Sequence, residues 1–90
     1  MTRVLVVDDD PSLLKALRLG LKASGHEVVT AATGEQGLLQ TAAASPDVVI
    51  LDLGLPDLDG VEVVRRVREW SQVPIVVLSA IDSENRKVAA

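Results

Sequence analysis

Short apolar runs alternate with stretches of helical periodicity along the whole chain. The runs are Arg3–Val7 (RVLVV), Glu27–Ala31 (EVVTA), Val48–Leu51 (VVIL) and residues 74–78 (PIVVL). Each is a few residues long, rich in β-branched side chains and flanked by Gly, Pro, Asp or Ser, which is the signature of strands. VVIL is apolar at every position, as a strand buried on both faces reads. Between the runs the period changes. Asp10-Pro11 is a helix N-cap followed by proline at the first helical position, Leu13, Leu14, Leu17 and Leu21 recur at helical spacing, and Gly25 is a C-terminal stop. Thr33 with Gln36 forms a capping box that opens a helix to about Ala43, with Leu38 and Leu39 on its buried side. Asp59 with Glu62 forms a second box, before a helix that turns Val61, Val64 and Val67 inward and Arg65, Arg66, Arg68 and Glu69 to solvent. Ser83 caps a last helix that has barely begun at Ala90.

Strand and helix thus alternate four times, with no room for hairpins. Such alternation predicts parallel strands joined by right-handed crossovers, hence an α/β fold with a doubly wound parallel sheet. At 90 residues the chain makes one domain, 1–90. Its 48% apolar and 24% charged residues place it with ordered globular chains, and the apolar part is aliphatic apart from Trp70. The absence of cysteine removes disulfides and thiolate metal sites, and no window has the roughly 18 apolar residues that span a bilayer. The reading is cytoplasmic, with no membrane partner. A net charge of -4 argues against nucleic-acid binding by this segment itself. On the same grounds Arg65, Arg66 and Arg68 read as a solvated helix face, His26 as an exposed turn residue, and Trp70 as packing at a helix end.

Chemistry gathers where strands end. In open sheets of this kind ligands bind beyond the carboxyl ends of the strands. Three of the four strands terminate there in Asp8/Asp9, in Asp52 and in Ser79. Carboxylates converging at about 5 Å repel by roughly 3 kcal/mol per ionised pair at an effective dielectric near 20, so a cation belongs between them. Oxygen donors without His or Cys favour a hard ion such as Mg²⁺. Helix capping accounts for Asp10 and leaves Asp8 and Asp9 without a role. After Asp52, the punctuation Gly54, Pro56 and Gly60 describes a loop that turns sharply before a helix.

VLVVDDD, LDLGLPDLDG and PIVVLSA together resemble the receiver domain of two-component response regulators, in register over all 90 residues. The wording is similar to the OmpR/PhoB-like class and its KdpE-type potassium regulators, from which Ile81 departs where a basic residue is expected. The resemblance implies a flavodoxin-like sheet of order 2-1-3-4. It implies that Asp52 is the phosphoacceptor for a sensor histidine kinase, that Asp9 binds Mg²⁺ directly and Asp8 mainly through water, that the Gly54 carbonyl is a further metal ligand, and that Ser79 binds the phosphoryl group. Pro56 and Gly60 shape the loop. DNA would be reached only through an output domain outside this segment. A second motif, DLDG from Asp57 to Gly60, resembles haloacid dehalogenase-type phosphatases, but Pro56 precedes it and Val61 replaces the expected Thr.

The resemblance also implies a fifth strand and final helix beyond Ala90, carrying a phosphoryl-binding lysine. Without them the domain is C-terminally incomplete and strand four is an exposed edge. Losing four or five buried aliphatic side chains removes roughly 10 kcal/mol, comparable to the stability of a small domain. The expectation is that these residues alone self-associate, as a dimer or by strand exchange, and do not fold as a stable monomer. A fragment that binds metal or associates without phosphotransfer is the alternative function.

Overall fold

The computed structural model describes residues 2–78. Its elements follow the order β1 (Arg3–Val7), α1 (Pro11–Ala23), β2 (Glu27–Ala31), α2 (Gly34–Ala44), β3 (Val48–Leu51), α3 (Gly60–Arg68) and β4 (Ile75–Val77). All pairings are parallel and the sheet order is β2-β1-β3-β4. The predicted order therefore holds. Ser83 and the helix expected after it lie outside the described residues.

Strand order and crossover handedness decide which helix covers which face. The chain steps from β1 to β2 in one direction and from β2 past β1 to β3 and β4 in the other. Crossovers of one hand then put α1 on one face and α2 and α3 on the opposite one. Side chains of β1 alternate accordingly. Leu5 and Val7 join Val49, Leu51, Leu55, Val63 and Val67 in the core on the α2/α3 face, while Val4 and Val6 point to the face of α1. Gly37 lets α2 approach the sheet, since a Cβ there would stand 3.0 Å from the Val7 methyls.

Local chemistry sets the element ends. Asp10 accepts from the Ser12 and Leu13 amides at the start of α1. The helix closes in a Schellman arrangement, with the Gly25 N–H on the Lys22 carbonyl, the His26 N–H on the Leu21 carbonyl, and Gly25 at φ 89°. Thr33 accepts from the Gln36 amide, and the Gln36 side chain reaches back to the Ala32 amide rather than to the cap itself. At the opposite edge of the sheet from the strand ends, the Arg3 guanidinium pairs with Glu27 at 3.0 Å and donates to the Ala44 carbonyl, while its backbone N–H meets Asp47.

Several expectations need correction. Helix α2 runs one residue further, to Ala44, where Ser45 takes the left-handed conformation at φ 48° before Pro46. Strand β4 is shorter than residues 74–78, because Pro74 has no N–H for a ladder and only its carbonyl pairs, with the Val49 amide. Leu39 is 69% exposed and Val61 63% exposed, so neither faces the core. The inward stripe of α3 is Gly60, Val63 and Val67, because the spacing 60, 63, 67 keeps to one helix face, whereas 61, 64, 67 drifts around the helix and leaves Val61 outside it. Glu62 makes no capping box; it is held by Arg65 and Arg66, which lower its carboxyl to about 2. His26 is half-buried in the Schellman turn, and Trp70 is 53% exposed just past α3.

The phase of α3 is directly testable. Val63→Ala lowers the free energy of unfolding by about 2 kcal/mol through the cavity it leaves, whereas Val61→Ala stays within about 0.5 kcal/mol. Urea melts of the two variants check this, and equal losses would contradict the observed phase.

Candidate functional site

Two neighbouring strands end in step. Val7 pairs with Leu51, and the ladder continues one residue further as the Asp52 amide donates to the Val7 carbonyl at 2.9 Å. Parallel strands stand about 4.8 Å apart, so Asp8 and Asp52 emerge side by side at the carboxyl edge of the sheet. This is also the switch point, where the chain's direction of travel across the sheet reverses. The carboxylates of Asp8, Asp9 and Asp52 each offer an oxygen within 4.8 Å of the others. Asp8 and Asp52 are buried and Asp9 is exposed, so the cluster opens on one side to solvent.

Electrostatics at the cluster are unfavourable by construction. Burial pushes the Asp8 carboxyl above its ordinary range, and the charges of Asp52, Asp9 and Asp10 push the same way, against one stabilising hydrogen bond from the Asp10 amide at 2.9 Å. Held ionised at neutral pH, Asp8 therefore destabilises the folded chain. That penalty shrinks as pH falls from the raised value to below the ordinary carboxylate range, and an entering cation relieves it as well. Oxygen-only donors converging from two strand ends fit a hard divalent ion such as Mg²⁺, and fit poorly the ions that favour sulfur or imidazole.

The loop after Asp52 is shaped by backbone contacts. The Gly54 amide donates to Asp52 Oδ1 at 2.9 Å, which ties the first turn of the loop to the carboxylate itself. The Gly60 amide donates to the Leu53 carbonyl at 3.1 Å. A Cβ on Gly60 would lie 2.6 Å from the Leu53 Cα and 3.0 Å from the Asp52 carbonyl oxygen, so only glycine fits there. Pro56 is exposed on the loop's outer side. Of the residues predicted for the site, Asp8, Asp9 and Asp52 converge, with Gly54 bonded to Asp52. The Leu78 amide donates to the Leu51 carbonyl at 3.1 Å and extends the ladder beside Asp52; Ser79, the next residue, lies outside the described residues.

The DLDG segment has structural work of its own. Asp59 caps α3 by accepting from the Val61 amide at 2.9 Å. Asp57 reaches across to α2, where its two oxygens accept from the Gly34 amide at 2.7 Å and the Glu35 amide at 3.0 Å. Neither carboxylate stands at a strand end, which a phosphatase nucleophile requires. The tie made by Asp57 is the site feature that sequence reasoning missed. Nothing local signals it, because its partners lie 23 and 22 residues away.

Comparison with known proteins bears on the same residues. The family described as "Response regulator receiver domain" matches residues 4–90. The chain is 49% identical over 90 residues to the KDP operon transcriptional regulatory protein KdpE of Escherichia coli (strain K12), covering all of this chain and 40% of that protein. It therefore spans about two fifths of that relative's length. Among solved structures, the Francisella response regulator 1452 receiver domain superposes with a TM-score of 0.85 at 28% identity, covering 99% of this chain and 74% of that one. A chain from the complex of histidine kinase ThkA with response regulator protein TrrA gives 0.81 at 37% identity, covering 89% and 70%.

Two outcomes test the geometry. Asp8→Asn keeps the acceptor for the Asp10 amide and removes a buried charge, so without metal it raises the stability at neutral pH by about 1 kcal/mol, while Mg²⁺ raises the melting temperature of the wild type and not of the variant. A metal-free loss of stability in Asp8→Asn would contradict the reading. Gly60→Ala lowers stability by about 2 kcal/mol through the clash with Leu53, measured by chemical denaturation.

Proposed function

The chain belongs to the response regulator receiver domain family, and on that premise we propose that its Asp52 accepts a phosphoryl group from the phosphohistidine of a sensor histidine kinase. The observation that carries this reading is the convergence of Asp8, Asp9 and Asp52 within 4.8 Å at the carboxyl edge of the sheet, with Asp52 buried. A carboxylate oxygen of Asp52 attacks phosphorus, the bond from phosphorus to the histidine nitrogen breaks, and the imidazole leaves with the electron pair. The product is an acyl phosphate on Asp52. Phosphoryl transfer asks for positioning and charge neutralisation more than for acid-base groups.

Asp8, Asp9, Asp52 and the Gly54 carbonyl would hold Mg²⁺, which when bound neutralises charge on the phosphoryl oxygens. The chain's own part is to aim Asp52. Ladder hydrogen bonds on both sides of β3 hold its backbone, and the Gly54 amide orients one carboxylate oxygen. The family resemblance assigns the phosphoryl contact to Ser79, the residue after Leu78 in sequence, and the shape of the loop to Pro56 and Gly60.

Among the described residues no helix is long and apolar enough to cross a membrane. The relatives are transcriptional regulatory proteins. Their names support a role in controlling transcription, which this chain would exert through an output domain in a longer chain; that it is a cytoplasmic module that modifies only itself is part of the same proposal. Self-association, as a dimer or by strand exchange, is proposed only for this 90-residue segment taken alone, where Val76, Val77 and Leu78 are 49%, 40% and 39% exposed at β4.

Incubation with acetyl phosphate and Mg²⁺ followed by intact mass tests the central step. One added phosphoryl group is expected on the wild type and none on Asp52→Asn. A wild type that stays unmodified, or a variant that is labelled as fast, sinks the proposal.

A further inference from the structure

The loop from Asp52 to Gly60, which follows β3, is closed at its two ends by the Gly54 amide on Asp52 and the Gly60 amide on the Leu53 carbonyl. Its middle has a different anchor. Asp57 gives both carboxylate oxygens to the first two amides of α2, at 2.7 and 3.0 Å. Those amides belong to the turn of a helix that has no internal partners, and the third is taken by Thr33 from within α2. Next to Asp57, Leu58 lies against Gly34 so closely that a Cβ there would stand 2.8 Å from the Leu58 Cβ. The loop is thus clamped onto α2 by a bidentate charged contact and an adjacent packed side chain. The Glu35 and Gly34 amides hold the Asp57 carboxyl below its ordinary range.

We infer that Asp57 is a positioning residue for the metal and phosphoryl site, holding the segment that carries Gly54 in register with Asp8, Asp9 and Asp52 by anchoring it to the N-terminus of α2. The inference rests on the receiver reading given above. It separates two jobs that a helix cap would otherwise merge. Thr33 and Asp57 both satisfy the start of α2, but Thr33 belongs to the α2 side alone, whereas Asp57 belongs to the loop. Loss of Thr33 therefore weakens the helix and leaves the tie. Loss of Asp57 weakens the helix and releases the loop.

The test compares Asp57→Asn, Asp57→Ala and Thr33→Ala on the full protein, with Mg²⁺ affinity by calorimetry and the rate of labelling by acetyl phosphate. Removing a group that orients metal ligands weakens metal affinity by about tenfold. That loss is expected in Asp57→Ala, a smaller one in Asp57→Asn, which keeps one acceptor, and a change of less than about twofold in Thr33→Ala despite comparable destabilisation. Amide hydrogen exchange should quicken between residues 54 and 60 in the Asp57 variants only. Mg²⁺ affinity unchanged in Asp57→Ala, or weakened equally in Thr33→Ala, overturns the inference. A wild type that neither binds Mg²⁺ nor takes a phosphoryl group overturns the receiver reading itself and the inference with it, and is told apart by occurring before any substitution.

Discussion

The pairing of Val7 with Leu51 governs the rest of the site. Because β1 and β3 are neighbours in parallel and in this register, the residues that follow each strand emerge together, and two carboxylates separated by 44 positions in sequence, Asp8 and Asp52, become adjacent. A slip of one residue would turn every side chain of β3 to the other face and bring a valine or leucine to the edge instead. The core prevents it. Leu5, Val7, Val49 and Leu51 must all point at α2 and α3, and only this register buries the four together. Hydrophobic burial therefore enforces a geometry that electrostatics alone would reject.

That tension gives the site its character. Asp8 is nearly fully buried beside other carboxylates and is pushed toward its neutral form by burial first and by charge second. A domain that keeps such a cluster stores a penalty that a divalent cation can relieve, which couples metal binding to stability and prepares the edge of the sheet for a dianionic group. Around it the chain is economical with its acidic residues. Asp10 and Asp59 cap the helices that follow them, and Asp57 caps one that does not, so three of the carboxylates near the site stabilise backbone while three others converge.

Much of this was legible in the residues. The first three strand runs, the caps at Asp10, Thr33 and Asp59, the stop at Gly25 and the alternation that dictates a parallel sheet rest on local spacing, and appear where expected among the described residues. Two misreadings share one cause. Leu39 and Val61 look inward from the pattern within a single helix, but which side of a helix is inward depends on how it packs against the sheet, and in α3 that side carries Val63. In α3 a shift of one residue rotates the stripe by about 100°, enough to exchange a buried valine for an exposed one.

The sequence by itself determined the element order, the α/β class and the carboxylates at the ends of β1 and β3, because these follow from contacts within a few residues and from the handedness of the chain. Tertiary structure alone decided how close the three carboxylates come, which face of α3 is buried, why Gly34 and Gly60 admit no side chain, and that Asp57 belongs to α2. Each of those depends on segments that meet only after folding, and no local pattern encodes the distance between them.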